Sequence, residues 1–345
     1  MKQYRVLIVG NMPFSGKGTS YQGEFLYRRF KADGHLVYKR TKYKNRAIKM
    51  LDILFFVLIN ARKYDIVILK TYSDLSFYIA DWTSLLCKIL GKKVLFFIQG
   101  GKFTDFYQRK PNWCQQVLAR GSELLSPSPE IVEHLNQQGI KTQIVPNAMS
   151  IDKWPYKERK VATYKLLWVR GFHAIYNPLV VIDAIDLLRR KYPKIHLSMV
   201  GPDKGLMQKG KERIAERKLD SHIDVVGPIP NNELFEWYHK FDIYINSTSY
   251  ESFGLAVLEA ALCGIPILSS KVGALPYLWE EKNEIFFSEE ITPEAFRDAI
   301  VDVYNDYDKA ISIAKKARTK AESYDMDVVS QAWYRKFDSW TKTEG

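Results

Sequence analysis

Residues 246–266 read NSTSYESFGLAVLEAALCGIP, and this segment decides the fold more than any other part of the chain. A helical pattern begins at Gly254, and Glu259 is the only charged residue between Gly254 and Leu268. Burying an ionised carboxylate without partners is costly, so we expect Glu259 to meet hydrogen-bond donors or the hydroxyl groups of a ligand. The alternative, two surface glutamates on a capped helix, conflicts with the apolar run around Glu259.

The start of this helix predicts a phosphate site. The first turn of a helix leaves four N–H groups free at the positive end of the helix dipole, which suits a diphosphate. Helical side chains lean toward the N-terminus, so Glu259 points back toward that end, while Glu251 lies in the loop before it. Carboxylates accept hydrogen bonds from neighbouring hydroxyl groups, so the pair predicts a clamp on a sugar beside the phosphate.

Strand-like and helical patterns alternate on both sides of the segment. The chain has 345 residues, 46% of them hydrophobic, enough for two cores. Short runs such as Tyr4–Val9 alternate with helical patterns such as Tyr21–Ala32 and Phe103–Leu118, which predicts βαβ units on parallel sheets. A polar stretch at 146–163 interrupts the alternation, as an interdomain connection would. We therefore expect an α/β fold with two domains, residues 1–150 with about 327–345, and residues 160–325.

Glu251 and Glu259, with seven residues between them, resemble the E-x7-E motif of GT4-type retaining glycosyltransferases of GT-B fold, the glycosyl transferases group 1. The blocks 249–260, 264–270 and 272–276 are similar to the core of that family. The resemblance implies two Rossmann-like domains facing a cleft, with a C-terminal helix returning to the first domain. It places Glu251 on the donor sugar and Glu259 on the nucleotide ribose. It further implies donor contacts from the backbone of Phe253, Gly254 and Leu255 and a donor-side turn at Gly201.

Two positions depart from the family pattern. Where the family usually has glycine and arginine followed by a lysine that binds the leaving diphosphate, this chain has Arg170 one position early and Tyr176 at the lysine position. We therefore expect Arg170 to neutralise the departing phosphate, with Lys204 or Lys271 as the alternative cation.

The second departure is Gln99, which stands where many relatives have a histidine near the reacting carbon. Gln99 can orient the substrate, but its neutral amide cannot act as a base. His173 is the remaining candidate, either as a catalytic residue or as a structural histidine.

Residues 10–19, GNMPFSGKGT, resemble a phosphate-binding P-loop between a strand and a helix, which would indicate a kinase. The spacing is wrong, because Asn11 stands where the first glycine is needed and Lys17 is followed by Gly18 instead of Ser or Thr. We interpret the segment as the family's glycine-rich first loop, in which Gly16 and Gly18 let the backbone approach acceptor and donor.

Basic residues concentrate near the start of the chain. Residues 1–50 contain 12 basic and two acidic residues, whereas the whole chain has 51 and 39. This charge favours an anionic partner, either phosphorylated lipid head groups, a membrane surface or nucleic acid, unless it is a solvated face kept for solubility. The segment Lys39–Lys63 joins basic residues to the apolar run Ile53–Ile59, which fits a helix at a bilayer surface or a helix buried against the sheet.

Several classes of site are absent from the sequence. No stretch approaches the roughly 18 apolar residues of a membrane span, and no signal peptide is evident, so we expect a cytoplasmic protein or one bound at the inner face of the membrane. The cysteines (Cys87, Cys114 and Cys263) stand far apart, which predicts neither disulfides nor zinc. Two DxD matches, at 306–308 and 325–327, fall in charged helical patterns and are taken as coincidence, so no metal or cofactor is expected.

The sequence predicts a retaining glycosyltransferase that moves sugar from a nucleotide-sugar donor to a glycan or polyprenyl-phosphate-linked acceptor in cell-surface polysaccharide synthesis. A GT-B-fold epimerase or phosphorylase would share the same phosphate site and stays an alternative. A nucleic-acid-binding protein is the third reading, but the basic–aromatic repeats of such proteins are lacking.

Overall fold

The structure, a computed structural model, describes residues 2–10, 22–40, 43 and 45–341. It divides into two units, one of Met1–Met149 with Tyr324–Gly345 and the other of Ser150–Ser323. Each unit contains a six-stranded sheet, and all paired strands are parallel. This confirms the predicted α/β class.

The first unit is a sheet covered by helices on both faces. Its strands are β1 (Arg5–Val9), β2 (Leu36–Arg40), β3 (Ile66–Thr71), β4 (Lys93–Ile98), β5 (Glu123–Ser126) and β6 (Gln143–Ile144). Its helices are α1 (Gln22–Ala32), α2 (Arg46–Ile59), α3 (Phe77–Ile89), α4 (Phe103–Arg109), α5 (Pro111–Leu118), α6 (Pro129–Gln137) and, from the end of the chain, α14 (Met326–Thr341). The strand order is β2-β1-β3-β4-β5-β6. The central strands β3 and β4 are apolar on both faces because helices cover both.

Two local predictions for the first unit differ from the structure. The segment predicted as one helix at Phe103–Leu118 is two helices, because Pro111 cannot continue α4 and disfavours helical geometry at Lys110. The basic segment from Lys39 begins as the edge strand β2, and only Arg46–Ile59 is helical. Ile53 and Val57 of that helix are buried in the core.

Helix α14 packs on the first unit, as the sequence predicts. Trp333 is fully buried and meets Phe97 and Phe30 edge-on, with ring centroids 5.1 and 6.2 Å apart. Phe337 also contacts the Phe30 ring, at 5.7 Å. The end of the chain therefore completes a core whose sheet is formed more than 200 residues earlier.

The second unit repeats the architecture. Its strands are β7 (Lys165–Val169), β8 (His196–Val200), β9 (Ile223–Gly227), β10 (Ile243–Asn246), β11 (Ile267–Ser270) and β12 (Phe286–Ser288). Its helices are α7 (Pro178–Leu188), α8 (Met207–Glu216), α9 (Leu234–Lys240), α10 (Leu255–Leu262), α11 (Leu275–Leu278), α12 (Pro293–Asn305) and α13 (Tyr307–Glu322). The strand order is β12-β11-β10-β7-β8-β9.

Most of the stretch predicted as a polar connection, residues 146–163, belongs to the second unit and is in part packed within it. Arg159 is buried, and its guanidinium donates to the backbone carbonyls of Phe241 and Cys263, at 3.2 and 2.9 Å, and to that of Tyr238. Charge-assisted bonds of this kind offset the cost of burying the cation.

Strand order fixes where a ligand can bind. In the second sheet the chain moves outward from β7 to β9 on one side and from β10 to β12 on the other, so the order reverses between β7 and β10. In the first sheet the reversal lies between β1 and β3. Open parallel sheets bind ligands at the carboxyl ends of the strands next to such a reversal.

Truncating Trp333 is expected to destabilise the first unit. Trp333→Ala removes a fully buried ring, so the free energy of unfolding should fall by about 3–5 kcal/mol in urea denaturation followed by circular dichroism. Val328→Ala, at a position on the same helix that is 53% exposed, is the control and should change it by less than about 0.5 kcal/mol. Equal effects of the two variants would contradict the docking of α14.

Candidate functional site

Arg170 and Glu251 form an ion pair at the reversal point of the second sheet. Arg170 directly follows β7, and Glu251 lies in the loop after β10. The Arg170 Nη2 donates to Glu251 Oε2 at 2.7 Å, and its Nε donates to Asn246 Oδ1 at 3.1 Å. The two charged side chains are only 13% and 14% exposed. Because each neutralises the other, the loop after β10 is held against the end of β7.

Backbone contacts fix the Glu251 loop from the opposite side. The Glu251 carbonyl accepts a hydrogen bond from the Ala274 N–H at 2.8 Å. Gly273 makes this approach possible, since a Cβ at that residue would lie 2.2 Å from the Glu251 oxygen. The side chain of Glu251 is therefore positioned by both its neighbours and its own backbone.

Helix α10 begins immediately after this loop. Gly254 is its N-cap residue with φ 86° and ψ 50°, and a Cβ at that residue would lie 2.8 Å from Leu275 Cδ2. In the part of the chain that the structure describes, no side chain caps this helix. The N–H groups of its first turn, beginning at Leu255, thus remain available to an anion.

Glu259 lies in the second turn of α10 and is half-buried. Burial raises the pKa of its carboxyl to about 7, although the charge of Arg170 and a hydrogen bond from Tyr238 act to lower it. The Tyr238 hydroxyl lies 3.3 Å from Glu259 Oε2. A carboxyl with this pKa changes charge near neutral pH, and it can accept hydrogen bonds from a diol when ionised.

The other residues predicted from the core motif lie close to this ion pair in the fold. Phe253 is buried directly before Gly254 and Leu255, at the start of α10. Gly201 follows β8 and supports the site through its missing side chain, because a Cβ there would lie 1.7 Å from the Arg170 carbonyl oxygen. Gly201 therefore lies against the backbone of Arg170, the residue that we expect to bind phosphate.

The alternative cations and the histidine are more exposed. Lys271 follows β11 and pairs with Glu289 at 2.6 Å and Glu281 at 3.5 Å. Lys204 is exposed in the turn after β8. His173 is exposed too, and its Nδ1 accepts a hydrogen bond from the Ile175 N–H at 3.2 Å. The roles predicted for these three residues remain predictions.

Gln99 belongs to the first unit, at the carboxyl end of β4. Its Oε1 accepts from the Tyr72 hydroxyl at 3.0 Å and its Nε2 donates to Asn147 Oδ1 at 3.2 Å, so the amide orientation is fixed. Nearby at the same edge, Lys70 of β3 is buried, which lowers the pKa of its ammonium group to about 8. Gly16 and Gly18 lie outside the described residues.

Sequence reasoning missed three contributors to the site of the second unit. Asn246 orients Arg170 and also donates to the Ser269 hydroxyl at 2.9 Å. The Tyr176 ring lies 5.3 Å from the Arg170 guanidinium carbon, so the position expected to carry lysine instead presents a ring to the arginine. Tyr238 reaches Glu259 from α9. Asn246 directly follows the strand-like run 243–245, IYI, and a polar residue at that end of a strand is a signal that could have identified it.

Comparison with known proteins agrees with this geometry. Residues 151–320 match the family model described as glycosyl transferases group 1. The match covers almost the whole of the second unit, residues 150–323. The matched residues contain Arg170, Glu251 and Glu259, the charged groups at the reversal point.

Proteins similar to this chain include a D-inositol 3-phosphate glycosyltransferase of Paenarthrobacter aurescens, 25% identical over 63% of this chain and 57% of that protein. A glycogen synthase of Mycobacterium tuberculosis is 28% identical over 48% of this chain and 42% of that protein. The matched region therefore spans about half the length of these relatives.

Solved structures of low sequence identity share the fold of this chain. A glycosyltransferase from Rickettsia africae is 16% identical with a TM-score of 0.77 and covers 98% of this chain and 99% of its own. The Anabaena protein HepE in complex with UDP and glucose is 15% identical with a TM-score of 0.74 and covers 98% and 100%. The fold is that of GT-B glycosyltransferases, with two Rossmann-like domains.

Glu259 is expected to reduce the stability of the fold as pH rises. Its folded pKa is about 7, against an ordinary value of 4.5. Below pH 4.5 the carboxyl is protonated in both the folded and the unfolded chain. Between pH 4.5 and about 7 the unfolded chain releases its proton first, so the free energy of unfolding falls as pH rises. Above pH 7 the carboxyl is ionised in both states and the loss of stability is constant. The free energy of unfolding of Glu259→Gln in urea should therefore exceed that of the wild type by about 3 kcal/mol at pH 8 and equal it near pH 4.

The matched control for this measurement is Glu236→Gln, since the Glu236 side chain is 56% exposed. We expect its difference from the wild type to be small and independent of pH. A difference between Glu259→Gln and the wild type that stayed constant over the same pH range would contradict the raised pKa.

Proposed function

We propose that this chain is a retaining glycosyltransferase that moves sugar from a nucleotide-sugar donor to a hydroxyl group of a glycan or polyprenyl-phosphate-linked acceptor. The observation that carries the proposal is the buried Arg170–Glu251 pair beside the uncapped start of α10. This arrangement supplies donors for a diphosphate, a fixed carboxylate for sugar hydroxyls and, in Glu259, a second carboxylate for the ribose. The family match over residues 151–320 supports it.

Binding of the donor follows from these positions. The diphosphate lies at the first turn of α10, where N–H groups and the helix dipole favour negative charge. The Nη1 of Arg170 has no partner among the described residues and donates to the same phosphate. Glu251, fixed by Arg170 and Ala274, accepts hydrogen bonds from the sugar.

In the reaction, the bond between the anomeric carbon and the β-phosphate oxygen breaks, and the acceptor oxygen bonds to that carbon from the same face. The acceptor proton passes to the departing phosphate, so the products are the glycoside and a nucleoside diphosphate. Negative charge grows on the leaving group while the sugar passes through an oxocarbenium-like state. Arg170 and the α10 N–H groups stabilise that charge without reorganising.

The first unit is proposed to bind the acceptor, with Gln99 orienting it. Support comes from the fixed amide of Gln99 at the carboxyl edge of the first sheet and from the basic residues of the first third of the chain. Such a charge suits a phosphate-bearing lipid carrier at the cytoplasmic face of a membrane, in cell-surface polysaccharide synthesis.

Donor turnover tests the proposal. The full chain is incubated with UDP-, GDP-, ADP- and CMP-sugars, and release of nucleotide is measured with water as acceptor, the anomer of the released sugar being read by NMR. We expect one donor class to release nucleotide and a sugar of retained configuration. Glu251→Gln should lower kcat by about 10²–10³-fold, because it removes the charge fixed at the sugar.

Glu236→Gln, a change of the same chemistry at an exposed position of α9, should leave kcat unchanged. Circular dichroism and thermal unfolding establish that Glu251→Gln is folded. Conversion of a donor to its epimer, or formation of sugar phosphate only when inorganic phosphate is added, would overturn the proposal in favour of an epimerase or a phosphorylase.

A further inference from the structure

Helices α2 and α3 of the first unit each carry an apolar stripe that faces away from the core. More than half of the large hydrophobic side chains exposed in the described residues belong to these two helices and the turn before α3. On α2 they are Ile48, Leu51, Phe55, Leu58 and Ile59, and along α3 they are Leu75, Tyr78, Trp82, Leu85 and Ile89. Successive members are mostly three or four residues apart, so each set lies on one side of its helix. We call these ten side chains the outer face.

The outer face is not needed to build the core. Ile53 and Val57 of α2 and Phe77, Ala80 and Cys87 of α3 are the residues that pack on the sheet, and all are buried. A surface helix of a globular protein usually has one apolar stripe, whereas α2 and α3 have a second one on the solvent side. Exposed apolar surface of this extent marks an interaction site.

The outer face forms one continuous surface because α2 and α3 are neighbours. A groove of about 560 Å³ is lined by Leu51, Phe55 and Leu58 of α2 together with Leu86 of α3. Exposure is high on both helices, with 67% for Phe55 of α2 and 51% for Trp82 and 73% for Ile89 of α3. A partner that covers the outer face therefore meets both helices at once.

Three exposed cations lie at one end of the outer face. Both helices connect parallel strands, so they run in the same direction and their C-terminal ends lie at the same end of the sheet. Arg62 and Lys63 follow α2, Lys88 is in the last turn of α3, and all three are exposed. Within the described residues, none of the three side chains has an ion-pair partner.

The acidic residues of these helices are already neutralised by arginine. Asp52 pairs with Arg40 at 3.3 Å, Asp74 with Arg109 at 3.0 Å and Asp81 with Arg120 at 2.6 Å. The outer face therefore presents apolar and aromatic side chains beside cations that have no ion-pair partner among the described residues. The nearby aspartates are paired with arginines and do not neutralise these cations.

We propose that the outer face of α2 and α3 docks on a bilayer that contains anionic phospholipids. The apolar stripes enter the boundary between head groups and acyl chains, where Trp82 and Tyr78 combine apolar rings with polar atoms. Arg62, Lys63 and Lys88 meet the phosphate groups. No helix among the described residues is long and apolar enough to cross the membrane, and this mode of binding requires none.

Charge distinguishes the bilayer from a second copy of the chain. A two-fold contact through the outer face presents the same patch on both copies, so each copy brings the same cations to the interface. Their acidic neighbours are held by Arg40, Arg109 and Arg120 and are not available across such a contact. An anionic lipid surface supplies the missing counter-charge instead.

Vesicle flotation with the full chain tests the proposal without donor or acceptor, so its failure is distinguishable from failure of the proposed function. The probes are vesicles of phosphatidylcholine alone and of phosphatidylcholine with about a third phosphatidylglycerol. We expect binding to the anionic vesicles that weakens with added salt. Phe55→Ser with Trp82→Ser should reduce binding at least tenfold, and Lys63→Gln with Lys88→Gln should reduce it by about tenfold or more.

The matched control is Val161→Ser with Leu187→Ser, two exposed apolar positions of the second unit, 72% and 41% exposed. This double variant should bind like the wild type, and all variants should keep the wild-type circular dichroism because the changed side chains are exposed. Equal binding by the control and the outer-face variants would overturn the proposal. Absence of vesicle binding by the wild type would also overturn the proposal. This holds if the chain is monomeric and equally if it forms a dimer that dissociates in the Phe55→Ser with Trp82→Ser variant.

Discussion

The ion pair between Arg170 and Glu251 is the interaction on which the second unit depends. It connects the end of β7 to the loop after β10, at the one place in that sheet where the strand order reverses. Because both groups are almost fully buried, neither can be removed without leaving the other charge unpaired. The pair fixes the loop that leads into α10, and thereby fixes the first turn of that helix. Gly201 and Gly273 are part of the same constraint, since a side chain at either would collide with the backbone of Arg170 or Glu251.

Local patterns in the sequence carry most of the information about this unit. The alternation of strands and helices was sufficient to predict the α/β fold. The resemblance of the segment around Glu251 and Glu259 to a known motif predicted the match to glycosyl transferases group 1. Partners that come from distant positions were not predictable, because nothing in the sequence indicates that Tyr238 of α9 faces Glu259 or that Tyr176 faces Arg170. The predicted helix at Phe103–Leu118 was wrong because a single proline outweighs an otherwise continuous pattern. Edge strands β2 and β12 were missed, since short strands at an edge lack the long apolar runs of the centre.

The two units present different sets of chemical groups. The second unit combines a buried ion pair, a half-buried carboxyl and an uncapped helix, which together favour a phosphate and a polyhydroxylated group. The first unit combines a fixed amide at its strand ends with an apolar and basic helical face elsewhere. Residues 39–63 fitted two interpretations from sequence, a buried helix and a surface-binding helix. In the structure one side of α2 is buried in the core and the opposite side is exposed, and binding of that exposed side to a membrane stays a prediction.

A crystal structure of the chain with an intact nucleotide-sugar would show where the diphosphate binds. We expect the diphosphate at the start of α10, within about 3 Å of the first-turn N–H groups and of Arg170 Nη1, with the Arg170–Glu251 pair retained and the sugar hydroxyls on Glu251. A diphosphate bound elsewhere in the second unit, with the first turn of α10 in contact with solvent alone, would contradict it.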